Sequence, residues 1–101
     1  MTRMIQCISP VDGRVYAERE ALTLEAAKAV VGRAKVAQRD WAALALEERI
    51  ARVRAGVAAL NAMQERIVEG LAWQMGRPTR YGGEFGGVNE RAGYMAGIAA
   101  D

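Results

Sequence analysis

Histidine is absent from this chain of 101 residues, and cysteine occurs once, at Cys7. Without histidine, and with one cysteine, the chain cannot assemble a structural zinc site or a cysteine–histidine nucleophile pair from its own residues. A single cysteine also excludes an internal disulfide, so nothing in the sequence indicates an oxidising compartment. We expect a structural role for the Cys7 thiol, because nothing in the sequence supplies a nearby base to activate it.

Long apolar runs and clusters of one charge sign are also missing. No stretch approaches the roughly eighteen consecutive apolar residues of a membrane span, and the N-terminal MTRMIQC is not followed by the apolar core of a signal peptide. The net charge is only +2, and basic residues alternate with acidic ones, as in Glu48–Arg49. This pattern is typical of a solvated helical surface. We therefore expect a cytoplasmic protein with no membrane and no nucleic-acid partner.

Turn and cap residues divide the N-terminal half into elements. Pro10 and the Asp12–Gly13 pair favour a tight turn, which predicts a β-hairpin over about residues 4–20. Thr23 is a good N-cap, and apolar residues then recur every three or four positions, which predicts a helix over about 23–43.

The C-terminal half shows two further periodic runs. The first predicts a helix over about 46–75, ended by Gly76 and Pro78, with Asn61 as the position for a kink or a break into two helices. The second predicts a helix over about 84–100. Large side chains at or beside apolar positions are expected in the core, namely Trp41, Trp73, Met63, Met75 and Met95.

Short motifs follow one another in a distinctive order. They are ISPVDGRVYAE at 8–18, an alanine-rich helix with Trp41, LEERIARVRAGVAAL at 46–60, WQMGRPTRYGGEFGG at 73–87 and ERAGYMAGIAAD at 90–101. Each motif is weak alone, but in this order and spacing the chain resembles the N-terminal segment of the aldehyde dehydrogenase superfamily over essentially its whole length.

The resemblance implies NAD- or NADP-dependent oxidation of an aldehyde to a carboxylic acid. In the family a cysteine thiol forms a thiohemiacetal, hydride passes to the nicotinamide, and a glutamate assists hydrolysis. The positions of that Cys and Glu, of the oxyanion-stabilising Asn and of the cofactor-binding Lys would all follow Asp101. We therefore expect this chain alone to bind no cofactor and to be inactive.

The resemblance also implies supporting roles for four residues. A main-chain oxygen at Ile8 and the side chain of Gln74 correspond to a monovalent cation site, but Gln74 stands where the family has a carboxylate. A neutral amide attracts a cation less strongly than a carboxylate does. Gly83 and Gly87 correspond to the substrate entrance, where small residues would leave room for a bulky aldehyde.

The expected architecture is that of an α/β family in which this segment is mostly α-helical: an N-terminal β-hairpin followed by three or four amphipathic helices. The resemblance places residues 1–101 in the N-terminal part of a Rossmann-like cofactor-binding domain, with the rest of the dehydrogenase, or a partner copy in a homo-oligomer, as the partner. The alternative is a stand-alone helical interaction or scaffold protein of the same ancestry, whose apolar faces pack against a second copy.

Overall fold

In the computed structural model, which describes residues 2–101, the chain begins with the predicted hairpin. β1 (Met4–Ile8) pairs antiparallel with β2 (Val15–Glu20), with an irregularity in the register between Cys7 and Ile8. No further strand joins this sheet within residues 2–101. The hairpin therefore has one pair of strands and must gain its stability from the helices that it contacts.

The hairpin turn is closed by its own polar groups. The Ser9 amide donates to the Arg14 carbonyl and the Gly13 amide donates to the Ser9 carbonyl, each at 2.8 Å. The Asp12 carboxylate accepts from the Arg14 amide at 3.0 Å. Gly13 has a φ of +74°, a conformation that glycine adopts without a steric penalty. The prediction of a turn from Pro10, Asp12 and Gly13 is confirmed.

The first helix, α1 (Leu24–Ala43), begins where the sequence predicts. The Thr23 hydroxyl accepts from the Ala26 amide at 3.1 Å, which satisfies one of the free amides of the first turn. Glu25 lies in that turn, where the helix dipole favours a negative charge. No residue of α1 is buried, and Val31 is 57% exposed.

The helical run predicted over 46–75 is present and is broken into two helices, α2 (Leu46–Ala62) and α3 (Gln64–Met75), which is the alternative that Asn61 indicated in the sequence. The break lies at Met63, whose ψ of 11° departs from helical geometry. Its amide donates to the Leu60 carbonyl at 3.0 Å, which tightens the last turn of α2. The helix resumes when the Met63 carbonyl accepts from the Ile67 amide at 3.0 Å.

The predicted stop after residue 75 is confirmed. Gly76 has a φ of +72°, and its amide donates to the Ala72 carbonyl at 2.9 Å, as in a left-handed helix cap. A short 3₁₀ turn (Thr79–Tyr81) follows Pro78 and leads into α4 (Phe85–Ile98), the last predicted helix.

The helices α2 and α4 pack against each other, and α3 also contacts α2. Asn61 and Asn89 exchange two side-chain hydrogen bonds, at 2.7 and 3.0 Å, across α2 and α4. Phe85, at the start of α4, is 6% exposed and is the only buried hydrophobic residue among residues 2–101. The apolar side chains around it include those of Leu60, Ile67, Leu71 and Val88.

The molecule is a thin plate of 48 × 40 × 19 Å with a radius of gyration of 17.8 Å. A compact domain of this length has a radius of about 13 Å. The accessible surface is 8108 Å², whereas a compact protein of this mass exposes about 5,600 Å². The chain therefore leaves extensive apolar surface uncovered.

The open shape contradicts several expectations about the core. Met63, Met75 and Met95 are 42%, 57% and 53% exposed, and Trp73 is 38% exposed. Trp41 is half-buried. These side chains lie at the predicted apolar positions, but the other elements among residues 2–101 cover them at most in part. No helix in this range is both long and apolar enough to cross a membrane.

Candidate functional site

The two most distinctive motifs of the sequence meet in space. The hairpin turn docks on the C-terminal end of α3, although the residues joined by hydrogen bonds are more than sixty positions apart. We call this contact the hairpin–α3 junction; it consists of Cys7, Ser9, Pro10 and Tyr16 from the hairpin and Trp73, Gln74 and Gly76 from the end of α3.

Ser9 is at the centre of the hairpin–α3 junction and is 2% exposed. Its hydroxyl donates to the Trp73 carbonyl at 2.5 Å and accepts from the Val11 amide at 3.2 Å. The last carbonyls of a helix have no partner within the helix, so the Ser9 hydroxyl satisfies one that would otherwise be unpaired. One side chain thus closes the hairpin turn and caps α3.

Cys7 makes the neighbouring contact. Its thiol donates to the Gln74 carbonyl, with the sulfur 3.8 Å from the oxygen, and its side chain is half-buried. This geometry agrees with the structural role expected for the thiol. No histidine exists in the chain to activate it.

Aromatic and apolar contacts complete the hairpin–α3 junction. The Tyr16 and Trp73 rings are stacked, with centroids 6.4 Å apart and an interplanar angle of 8°. Gly76 faces Pro10, and a Cβ atom at Gly76 would lie 3.3 Å from the Pro10 Cγ. Glycine is therefore required at position 76 both for its positive φ and for this close approach.

The two glycines predicted at a substrate entrance differ in their surroundings. Gly83 has a φ of +68°, and a Cβ there would lie 3.3 Å from the Leu71 Cδ1 and 3.4 Å from the Phe85 Cδ2. Gly87 lies in the first turns of α4, and a Cβ there would meet no atom within 4 Å. Gly83 is thus needed for the loop conformation, whereas space is open beside Gly87.

The loop that leads into α4 is held by a charged pair. The Arg77 guanidinium forms an ion pair with the Glu84 carboxylate, and the Arg77 side chain is 34% exposed. Between these residues, Gly82 has a φ of +66° and caps the 3₁₀ turn. The ion pair therefore closes the connection between the end of α3 and the start of α4.

The sequence-predicted cation residues lie at the hairpin–α3 junction. Ile8 is between Cys7 and Ser9, the two residues that donate to the end of α3, and the Gln74 carbonyl accepts from Cys7. The Gln74 side chain extends back along α3, where its Nε2 is 3.6 Å from the position of a Cβ on Gly70. Residues 2–101 contain no group of three or more His, Cys, Asp or Glu residues placed to hold a metal ion.

Sequence reasoning missed Ser9, Tyr16 and the Asn61–Asn89 pair. Each makes a contact with a residue far away in the sequence, and no local pattern marks such a contact. A weak signal was present for Ser9, because a serine directly before a proline-containing turn often bonds to the backbone of that turn.

Comparison with known proteins gives one match. Searches of curated proteins and of solved structures return no significant similarity. A model of the aldehyde dehydrogenase family, in contrast, matches residues 1–100. The match includes every element of the structure, from the hairpin to the end of α4. The chain therefore belongs to the aldehyde dehydrogenase family.

Proposed function

We propose that this chain is the N-terminal segment of an oxidoreductase that converts an aldehyde and water to a carboxylic acid while NAD or NADP accepts the hydride. The match of the family model to residues 1–100 is the observation that supports this proposal most strongly. The cofactor supplies the hydride acceptor when it is bound. The aldehyde, and the choice between NAD and NADP, depend on residues that this proposal places outside the chain.

In this proposal residues 1–101 have a structural task within a Rossmann-like cofactor-binding domain of a cytoplasmic, oligomeric enzyme. The uncovered apolar surface supports such a task, because Phe85 is the only hydrophobic residue buried among residues 2–101. The apolar faces of α1, α2 and α4 would be covered by further polypeptide of the same enzyme or by its partner copy. The hairpin–α3 junction would keep the hairpin and α3 in a fixed relation for that packing.

The chemistry would be performed by groups outside the chain. The only cysteine donates to a helix-end carbonyl, and no histidine is present. We expect the purified chain to give no aldehyde-dependent formation of NADH or NADPH, measured as absorbance at the nicotinamide wavelength. A longer polypeptide that contains this segment and a downstream cysteine should give such formation. Turnover by the chain alone would contradict this assignment, and inactivity of the longer polypeptide with every aldehyde tested would contradict the function.

Sedimentation and hydrogen exchange test the alternative of a stand-alone scaffold. A segment whose partner is missing should exchange its α1 amides rapidly and show no fixed stoichiometry. A scaffold protein should show slow exchange in α1 and sediment as a species of defined size.

Gly87 allows a test of the substrate entrance in the longer enzyme. We propose that open space beside Gly87 admits bulky aldehydes, because a Cβ atom there would have no neighbour within 4 Å among the residues packed around it. Gly87→Leu should raise KM for bulky aldehydes by about tenfold, which corresponds to roughly 1.4 kcal/mol, and should leave KM for small aldehydes nearly unchanged. Gly56→Leu, which is also unobstructed but lies in α2, is the matched control. Equal effects on both classes of aldehyde would refute the proposal.

The cation site that the resemblance implies near Ile8 and Gln74 fits these residues poorly. A main-chain oxygen and a neutral amide supply no formal negative charge, and hard cations favour carboxylate oxygens. The Gln74 side chain is also directed back towards Gly70, one helical turn earlier.

A further inference from the structure

The end of α3 receives two donors from the hairpin. The Ser9 hydroxyl donates to the Trp73 carbonyl at 2.5 Å, and the Cys7 thiol donates to the Gln74 carbonyl. These carbonyls belong to the last turn of α3, where the backbone oxygens lack helical partners and the helix dipole is negative. A cation placed between the hairpin and α3 would interact with the same negative helix end.

The Ser9 and Cys7 donors already join the hairpin to the end of α3, which is what a bridging cation would do. Ser9 is 2% exposed, so its hydroxyl is held without competition from solvent. Pro10 contacts Gly76, and Tyr16 stacks on Trp73, so the hairpin is fixed on both sides of the hydrogen bonds. A cation at this place would compete with both donors and gain no charged ligand from Gln74.

We propose that hydrogen bonds from Ser9 and Cys7 hold the hairpin–α3 junction of this chain without a monovalent cation, and that Ser9 is its positioning residue. The resemblance implies a cation at this place, so this chain departs from its family there. The inference concerns the chain by itself and does not depend on the proposed oxidoreductase function. An experiment can therefore contradict the cation-free junction without contradicting the oxidoreductase function, and the reverse.

Thermal unfolding of the 101-residue chain tests the proposal. Helicity is followed by circular dichroism in sodium chloride, potassium chloride and tetramethylammonium chloride at equal ionic strength. A cation that binds the folded chain raises Tm as its concentration exceeds Kd. We expect the same Tm in all three salts. A higher Tm in sodium or potassium chloride, lost in Gln74→Ala, would overturn the proposal.

Substitution of Ser9 tests its role as the positioning residue. Ser9→Ala should lower Tm by about 5 °C in every salt, because the Trp73 carbonyl loses its donor. Ser9→Cys, which retains a donor, should recover part of that loss. Thr23→Ala removes a hydrogen bond outside the hairpin–α3 junction and should also lower Tm. Adding Ser9→Cys to Thr23→Ala should not recover that loss. An unchanged Tm in Ser9→Ala would remove Ser9 from the proposed role.

Sodium-23 NMR gives a second measurement that needs no unfolding transition. We expect the sodium line width to be the same in the presence of the unsubstituted chain and of Gln74→Ala. Saturable broadening that potassium displaces, and that Gln74→Ala abolishes, would overturn the proposal. Saturable broadening that persists in Gln74→Ala but changes in Ser9→Ala would also overturn the proposal, because a cation on main-chain oxygens of the hairpin–α3 junction does not need the Gln74 side chain.

Discussion

The hairpin is followed directly by α1 in the sequence, but the hairpin–α3 junction and α1 are stabilised in different ways. At the junction, Ser9 is 2% exposed and bonds to a carbonyl 64 positions away. In α1, no residue is buried, and the side-chain hydrogen bond that begins the helix joins residues three positions apart. The first region depends on a long-range contact, and the second depends on local capping and helix propensity.

This difference shows which part of the chain has its contacts satisfied within the chain itself. The groups of the hairpin–α3 junction are satisfied within residues 2–101, so its geometry does not require another polypeptide. In α1, by contrast, Val30, Val31 and Val36 are 41%, 57% and 61% exposed. An isolated helix is only marginally stable in water, and most helical stability in proteins comes from packing. The junction is therefore complete, and α1 has an apolar face without a cover.

The largest effect is expected at the hairpin–α3 junction, from Gly76→Ala. A left-handed conformation costs a residue with a Cβ about 1–2 kcal/mol, and here the new atom would also lie 3.3 Å from the Pro10 Cγ. We expect the free energy of unfolding to fall by about 2 kcal/mol, measured by urea titration. Gly56→Ala, in the open interior of α2, should instead raise it by about 0.5–1 kcal/mol. If both changes stabilise the chain, the close contact with Pro10 does not form in solution.

A smaller effect is expected where α1 begins. Thr23→Ala removes the hydroxyl that accepts from the Ala26 amide at 3.1 Å, and the loss of an N-cap costs about 1 kcal/mol. Hydrogen exchange at Ala26 should become faster, while exchange in β1 and β2 stays the same. Thr79→Ala serves as the control outside α1. A simultaneous change in the hairpin amides would mean that the two regions unfold together and are not stabilised independently.

The smallest effect is expected on the exposed face of α1. Serine and valine have similar helix propensities, so Val31→Ser changes only the apolar area at a side chain that is 57% exposed. The free energy of unfolding should change by less than about 0.5 kcal/mol. A loss of 1.5 kcal/mol or more, roughly the value of burying a valine, would show that this face is covered in solution. A dependence of that loss on protein concentration would identify a second copy as the cover.

Elements with local signals were predicted well. The turn at Pro10, Asp12 and Gly13 and the cap at Thr23 follow from the chemistry of single residues, and both are present in the structure. The same reasoning found the stop at Gly76, because glycine at a helix end commonly takes a positive φ. The match to the aldehyde dehydrogenase family confirms the resemblance that the ordered motifs indicated.

Features that depend on distant contacts were not predictable in the same way. Asn61 indicated a kink or a break in this helical run, but the apolar period continues through Met63 without a glycine or proline, so the sequence did not place the break at Met63 itself. Asn61, just before the break, bonds instead to Asn89 on α4. The motifs at 8–15 and 73–78 were recognised by their order along the chain, which does not reveal that Ser9 and Trp73 touch. The burial of Trp73 and the methionines was wrongly expected, because periodicity identifies an apolar face but not its cover.

The stacked rings of Tyr16 and Trp73 also provide a spectroscopic probe of the folded chain. Two nearly parallel aromatic chromophores 6.4 Å apart couple their electronic transitions, which produces a chiral signal in the near ultraviolet. The other indole of the chain, Trp41, lies near the end of α1. Each of the two regions thus contains one tryptophan, and the coupled signal of the stacked pair reports on the hairpin–α3 junction as the chain is heated.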